Sequence, residues 1–164
     1  MPNYPLTIPT AEEAIAAAAE RARRHVAKQA LMSAGATLIP VPGVDMLVDV
    51  TVMVKMIDRI NAEFCLTPQQ IEKLPSTQKL IAYEAINWVG TTLAGKIVSS
   101  QLAIGLLKSV GVRMSAKQAS RWMPIVGQAA AVAVGYSALR YLGLAHIKDC
   151  ERIARQVQYL LSQK

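Results

Sequence analysis

No Asp or Glu occurs between Glu84 and Asp149. The 64 residues of that gap carry seven basic side chains: Lys96, Lys108, Arg113, Lys117, Arg121, Arg140 and Lys148. Elsewhere the charges nearly balance, with eight basic and nine acidic residues over 1–84 and three and two over 149–164. The net charge of +7 therefore resides in one stretch, which is also the most apolar part of the chain. Cysteine is scarce too. Cys65 and Cys150 lie far apart with no CxxC spacing, which argues against a disulfide framework or a zinc site and for a reducing compartment. A single Phe and 5% aromatics leave few stacking surfaces for nucleic acid, so that class of partner is disfavoured. The opening MPNYPLTIPT lacks a basic region before an apolar run, so no secretory signal is read there. A cytoplasmic protein, peripheral at the inner membrane if it meets a membrane at all, is the expectation.

Apolar residues are abundant, at 52% of 164, and many of them are Ala and Gly. One domain with a core of small side chains follows, allowing helices to approach closely. The periodicities are helical, and no convincing alternating strand is found. The sequence predicts an all-α bundle of about five to seven helices around a central Ala/Gly-rich hydrophobic helix. It spans residues 10–164, behind a flexible N-terminal segment at 1–9.

Thr10-x-x-Glu13 fits a capping box that opens a first helix running to about Leu38. Ile39-Pro40-Val41-Pro42-Gly43 is a rigid turn. A mostly buried helix is expected from Asp45 to Cys65, and Thr67-Pro68-Gln69-Gln70 starts a short one. Ser76 begins a long helix to about Val110, followed by a short basic helix from Ser115 to Trp122. An apolar helix from Ile125 to Leu144 and an amphipathic tail from Lys148 to Leu161 close the chain.

Two stretches raise the question of membrane spanning: 122–139 has no charge, and 85–107 has only Lys96. Topology argues against a hairpin of two spans. The basic linker Lys108–Arg121 would stay inside, and both termini, one of them carrying seventeen charges, would have to cross. Gly127, Ala131 and Gly135 recur every fourth residue, a small-residue face for close helix packing or a homodimer.

Gly90-Thr91-Thr92-Leu93-Ala94-Gly95-Lys96-Ile97 nearly spells a phosphate-binding loop. Ile97 stands where a magnesium-ligating hydroxyl is needed, and helix-like spacing replaces the required strand before the glycine. Catalytic sets are thin. His25 sits in a charged run expected to be a solvated face, Asp45 and Asp49 lack a third ligand, and the cysteines are expected to be ordinary buried thiols. No catalytic residue, metal set or cofactor is assigned. The remaining candidates are basic: Arg113, Lys117 and Arg121 form one ridge beside Lys108 and Trp122, and Arg21, Arg24 and Lys28 form another.

The run Ile39-Pro40-Val41-Pro42-Gly43-Val44-Asp45 with Met53, Met56 and Ile57, and the later Pro124-Ile125-Val126-Gly127, resemble two hallmarks of a helical domain of unknown function. That domain follows the GTPase domain of some bacterial GTPases and occurs in YcjF-like membrane proteins. The resemblance covers roughly 26–145 and implies a non-catalytic module working at membranes or regulating a GTPase. No GTPase domain is present here, so a partner would have to supply it. The expected role is docking through Lys108, Arg113, Lys117, Arg121 and Trp122 onto an acidic protein partner or anionic membrane surface, as adaptor, immunity protein or regulator. The alternative is a membrane-active toxin or effector whose apolar helices insert.

Overall fold

The computed structural model describes residues 4–36, 45–91 and 124–163. These form four long helices and one single-turn helix: α1 (Glu12–Ala36), α2 (Asp45–Glu63), α3 (Pro68–Ile71), α4 (Ser76–Thr91) and α5 (Pro124–Ser162). No strand occurs among the described residues, and the all-α class is as expected.

The α1 sequence buries Ile15, Ala18, Ala19, Ala22, Val26, Ala30 and Ser33, the three-and-four spacing of one helix face. Its start falls beyond the anticipated cap. The Ile15 amide reaches the Ala11 carbonyl, so the first helical turn opens at Glu12 rather than on Thr10. The α2 face is Met53, Met56 and Ile60, and the chain's only Phe, Phe64, is fully buried in the turn that follows. The helix ends in a left-handed residue, Cys65, at φ 58°. The Leu66 amide returns to the Asn61 carbonyl at 2.8 Å, the six-to-one bond of a helix C-terminus that usually recruits glycine at this place. Burial of the Cys65 side chain holds it in a conformation costing about 1 kcal/mol or more for an L-residue.

At α3 the local signal is realised in full. Thr67 caps the helix, its hydroxyl accepting from the Gln70 amide, while Pro68 occupies the first turn. Gln70 Nε2 donates to the carbonyls of Ala62 and Pro5. This ties the N-terminal arm to the bundle. Where the sequence predicts a flexible segment through residue 9, Ile8 is seated in the core.

Between α1 and α5 the direction is antiparallel: Glu12 meets Arg155, Arg23 meets Glu151, and Val26 lies against Gly143. By contrast α2 runs alongside α5, with Met56 beside Gly143 and Asn61 beside His146. The N-terminal turn of α4, at Gln78, shares a small cavity with Val157 and Leu161.

The last helix corrects an expectation. Instead of an apolar helix and a separate tail, α5 is continuous over 39 residues, about 58 Å at 1.5 Å per residue. Gly143 does not end it. A Cβ there would lie 2.7 Å from both methyls of Val26, so this glycine is a crossing point where neighbouring helices come close. The segment before Gly90 is helix, as the failed phosphate-loop match requires. Most of the anticipated extension of α4 to Val110 and the basic helix 115–122 lie outside the described residues. No helix among the described residues is long and apolar enough to cross a membrane.

Candidate functional site

Of the sequence-derived candidates, Lys108, Arg113, Lys117, Arg121 and Trp122 all lie outside the described residues. Gly127, Ala131 and Gly135 fall on the backbone of α5, and what their face packs against is likewise outside the description. Three other polar arrangements are in view.

The first joins α1 to the end of α2. Glu63 is a buried carboxylate, and its Oε2 accepts from Arg21 Nε at 2.6 Å while Oε1 lies 3.1 Å from His25 Nε2. His25 was expected on a solvated face. It is instead part-buried, because Arg21 and His25, four residues apart, share the face that meets the last turn of α2. A carboxylate removed from water needs such partners, and each costs stability if lost.

The second is interior. Asn61 Oδ1 lies 2.8 Å from His146 Nε2 and 3.7 Å from Cys150 Sγ, and the thiol sits 3.8 Å from the same His146 nitrogen. Cys, His and Asn together invite comparison with thiol catalysis, where His takes the thiol proton and Asn orients the ring from its other nitrogen. Here the wiring differs. Asn61 engages Nε2, the nitrogen nearest the sulfur, so Nε2 carries the proton and donates it to the amide oxygen. The remaining lone pair, on Nδ1, is shielded from solvent and has no partner among the described residues. Burial lowers the His146 pKa to about 4 and raises the Cys150 thiol well above its ordinary range. Both groups are thus held neutral, the opposite of a thiolate–imidazolium pair. The trio works as a polar knot between α2 and α5. Its partners stand 85 residues apart in sequence, and neither residue alone signals the pairing.

The third is a groove of about 500 Å³ on the outer side of the α1–α5 seam. Arg23 lines it from α1, and Tyr141, Leu144, Ala145, Lys148, Asp149 and Arg152 line it from α5. Arg23 is engaged by Glu20 and Glu151, and Arg152 donates to Asp149 Oδ1 at 3.1 Å. Asp149 is itself buried, which raises its pKa against the opposing pull of Arg152. Lys148 is exposed and has no hydrogen-bond or ion-pair partner among the described residues. Sequence inspection did not single out this groove. Its signal, Tyr141, Leu144, Ala145, Lys148 and Arg152 at helical spacing, becomes a site only once Arg23 is placed opposite.

No group of three or more His, Cys, Asp or Glu among the described residues could hold a metal ion. No protein-family model, curated protein or solved structure matches the chain.

Proposed function

We propose that the protein is a non-catalytic helical interaction module that docks through its basic segment onto an anionic surface, either an acidic protein partner or an anionic membrane. The carrying observation is a partition of charge. Residues 4–36, 45–91 and 124–163 hold twelve basic residues and all eleven acidic ones, while 92–123 holds five basic residues and no acidic one. Within the bundle, many of the charges are consumed by one another. Arg21 and His25 engage Glu63, Arg23 engages Glu20 and Glu151, Lys79 engages Glu72, and Arg155 engages Glu12 and Glu151. Lys108, Arg113, Lys117 and Arg121 fall in a stretch that holds no acidic residue, and Trp122 beside them suits an interfacial anchor. The resemblance to GTPase-associated and YcjF-like helical domains points the same way. The neutral state of the half-buried His146 and the buried Cys150 supports the non-catalytic reading.

The test is co-sedimentation with phosphatidylserine-containing and neutral vesicles, and retention on immobilised poly-glutamate, across a salt series. Binding to one of the anionic probes should weaken with salt, since exposed charges are screened over about 8 Å at physiological ionic strength. Reversing Arg113, Lys117 and Arg121 to Glu should weaken it at least about a hundredfold, from about 1 kcal/mol per charge. Salt-resistant retention with dye leakage would replace docking by insertion. Failure on both anionic probes would end the proposal.

A further inference from the structure

The bundle has a surplus of charge of its own, on the outer side of the α1–α2 seam. Of the ridge Arg21, Arg24 and Lys28, Arg21 is drawn into the fold, where it meets Glu63. Arg24 and Lys28 are exposed and have no hydrogen-bond or ion-pair partner among the described residues. The acids bonded to this part of α1 are already taken, Glu20 by Arg23 and Glu63 by Arg21 and His25. Two further cations flank them on α2. Arg59 and Lys55 stand four and eight residues before Glu63, on the helix row whose last member meets α1. Both are exposed and likewise without a partner among the described residues. Because α1 runs antiparallel to α5 and α2 runs alongside it, the step from His25 toward Met32 matches the step from Glu63 toward Lys55.

Asp58 is the acid in that stretch of α2, and it is turned about 100° from Arg59 around the helix. Counted against the four cations, it still leaves three positive charges in surplus on the seam. Asp45 and Asp49 come six or more residues before Lys55, a rise of at least about 9 Å. The cationic face continues into an apolar end. Leu31 and Met32, one turn beyond Lys28, are 63% and 60% exposed. Around the α1 axis Arg24, Lys28, Leu31 and Met32 fall within an arc of about 100°, and no charged residue follows Lys28 until Asp45.

Free cations beside exposed aliphatic side chains match a partner with an anionic plane over an apolar interior. Nucleic acid offers the first without the second and favours aromatic stacking, for which this face has no ring. An acidic protein would have to shape a concave seat to the convex outer side of two helices, whereas a fluid bilayer conforms to it. We propose that the outer α1–α2 seam docks on an anionic lipid surface, with Arg24, Lys28, Lys55 and Arg59 at the headgroups and Leu31 and Met32 at the acyl boundary. The surface uses no residue of 92–123, so it stands apart from the basic segment.

Vesicles of phosphatidylcholine with and without phosphatidylserine, mixed with the intact chain, test the assignment. Cys65 and Cys150 are buried, so an environment-sensitive fluorophore can be placed selectively at Leu31→Cys. Tyr159→Cys, exposed on α5 near the Glu12 end of α1, gives the control. The label at position 31 should shift to the blue on anionic vesicles and be quenched by brominated lipid, and the label at 159 should do neither. R24Q/K28Q, at exposed positions, should weaken binding to anionic vesicles about thirtyfold, from about fivefold per charge, with an unchanged melting temperature. K55Q/R59Q should weaken it to the same degree. The R113E/K117E/R121E protein should still bury the label at 31 once the vesicle concentration is raised to restore binding. If that triple variant binds as the parent does while R24Q/K28Q does not, the role of the basic segment falls and this one stands. A label at 31 that stays in water, R24Q/K28Q binding like the parent, or retention on poly-glutamate without vesicle binding would each overturn the proposal.

Discussion

The long helix α5 meets α1 and α2 in opposite ways. Toward α1 the contact is close: Ala18, Ala19, Ala22 and Ala30 of α1 are fully buried, and a Cβ at Gly143 would meet both methyls of Val26 at 2.7 Å, nearer than Met56 of α2 at 3.2 Å. Toward α2 the contact admits polarity: Asn61, His146 and Cys150 share an amide oxygen, and Nδ1 of His146 finds no partner among the described residues. A seam of small side chains gains stability from proximity, because dispersion contacts fade within an ångström. The polar seam gains register instead, since a shift along α5 would strand Asn61 and His146 without each other. Stability and alignment are thus assigned to different faces of one helix.

The largest expected effect strikes the close seam. In Gly143→Val the added carbon meets Val26, a β-branched residue with little rotamer freedom in a helix, and neither backbone can yield cheaply. A loss of about 3 kcal/mol is expected, or about 6–12 °C in Tm by thermal unfolding. The double variant Val26→Ala/Gly143→Val should recover part of it. Additive losses would show that the crossing at Gly143 is not a tight one.

Acid should act next, and on the polar seam. The folded pKa of His146, about 4, lies below its ordinary 6.5, so the unfolded chain takes up the proton first as pH falls. The stability tied to neutral His146 is complete above pH 6.5 and is lost progressively toward pH 4. Asp149, whose folded pKa is raised, opposes this at the lower end of the window, because its folded form holds a proton longer. A net fall of about 2–3 kcal/mol between pH 7 and 4 is expected in urea unfolding, and His146→Gln should flatten the profile. An unchanged slope in that variant would assign the acid sensitivity elsewhere.

The smallest effect belongs to the rim of the close seam. Arg155→Ala breaks contacts to Glu12 and Glu151 between exposed or half-exposed groups, and should cost less than about 1 kcal/mol by the same assay. A loss comparable to that of Gly143→Val would mean that ion pairing, not close packing, joins α1 to α5.

How much of this was legible beforehand follows the range of the forces involved. The Thr67-Pro68-x-Gln70 start of α3 was readable because every participant lies within four residues, and the only remote partners are the carbonyls that Gln70 reaches. The span of α2 was readable from its apolar periodicity. The continuity of α5 was not, since the change from an apolar stretch ending at Leu144 to an amphipathic one from Lys148 looks like two helices until both are seen against α1. His25 looked solvated because the burial of Glu63, 38 residues away, leaves no local trace. The groove needed Arg23 and Lys148 brought together from distant parts of the chain.

The sequence by itself determined that the chain is helical and where its surplus charge lies, because periodicity and composition act locally and need no partner. Only the tertiary structure decided which charges are consumed, which histidine is shielded and which glycine is a crossing point. Those outcomes depend on which face of one helix is pressed against another, and burial is a property of the pair.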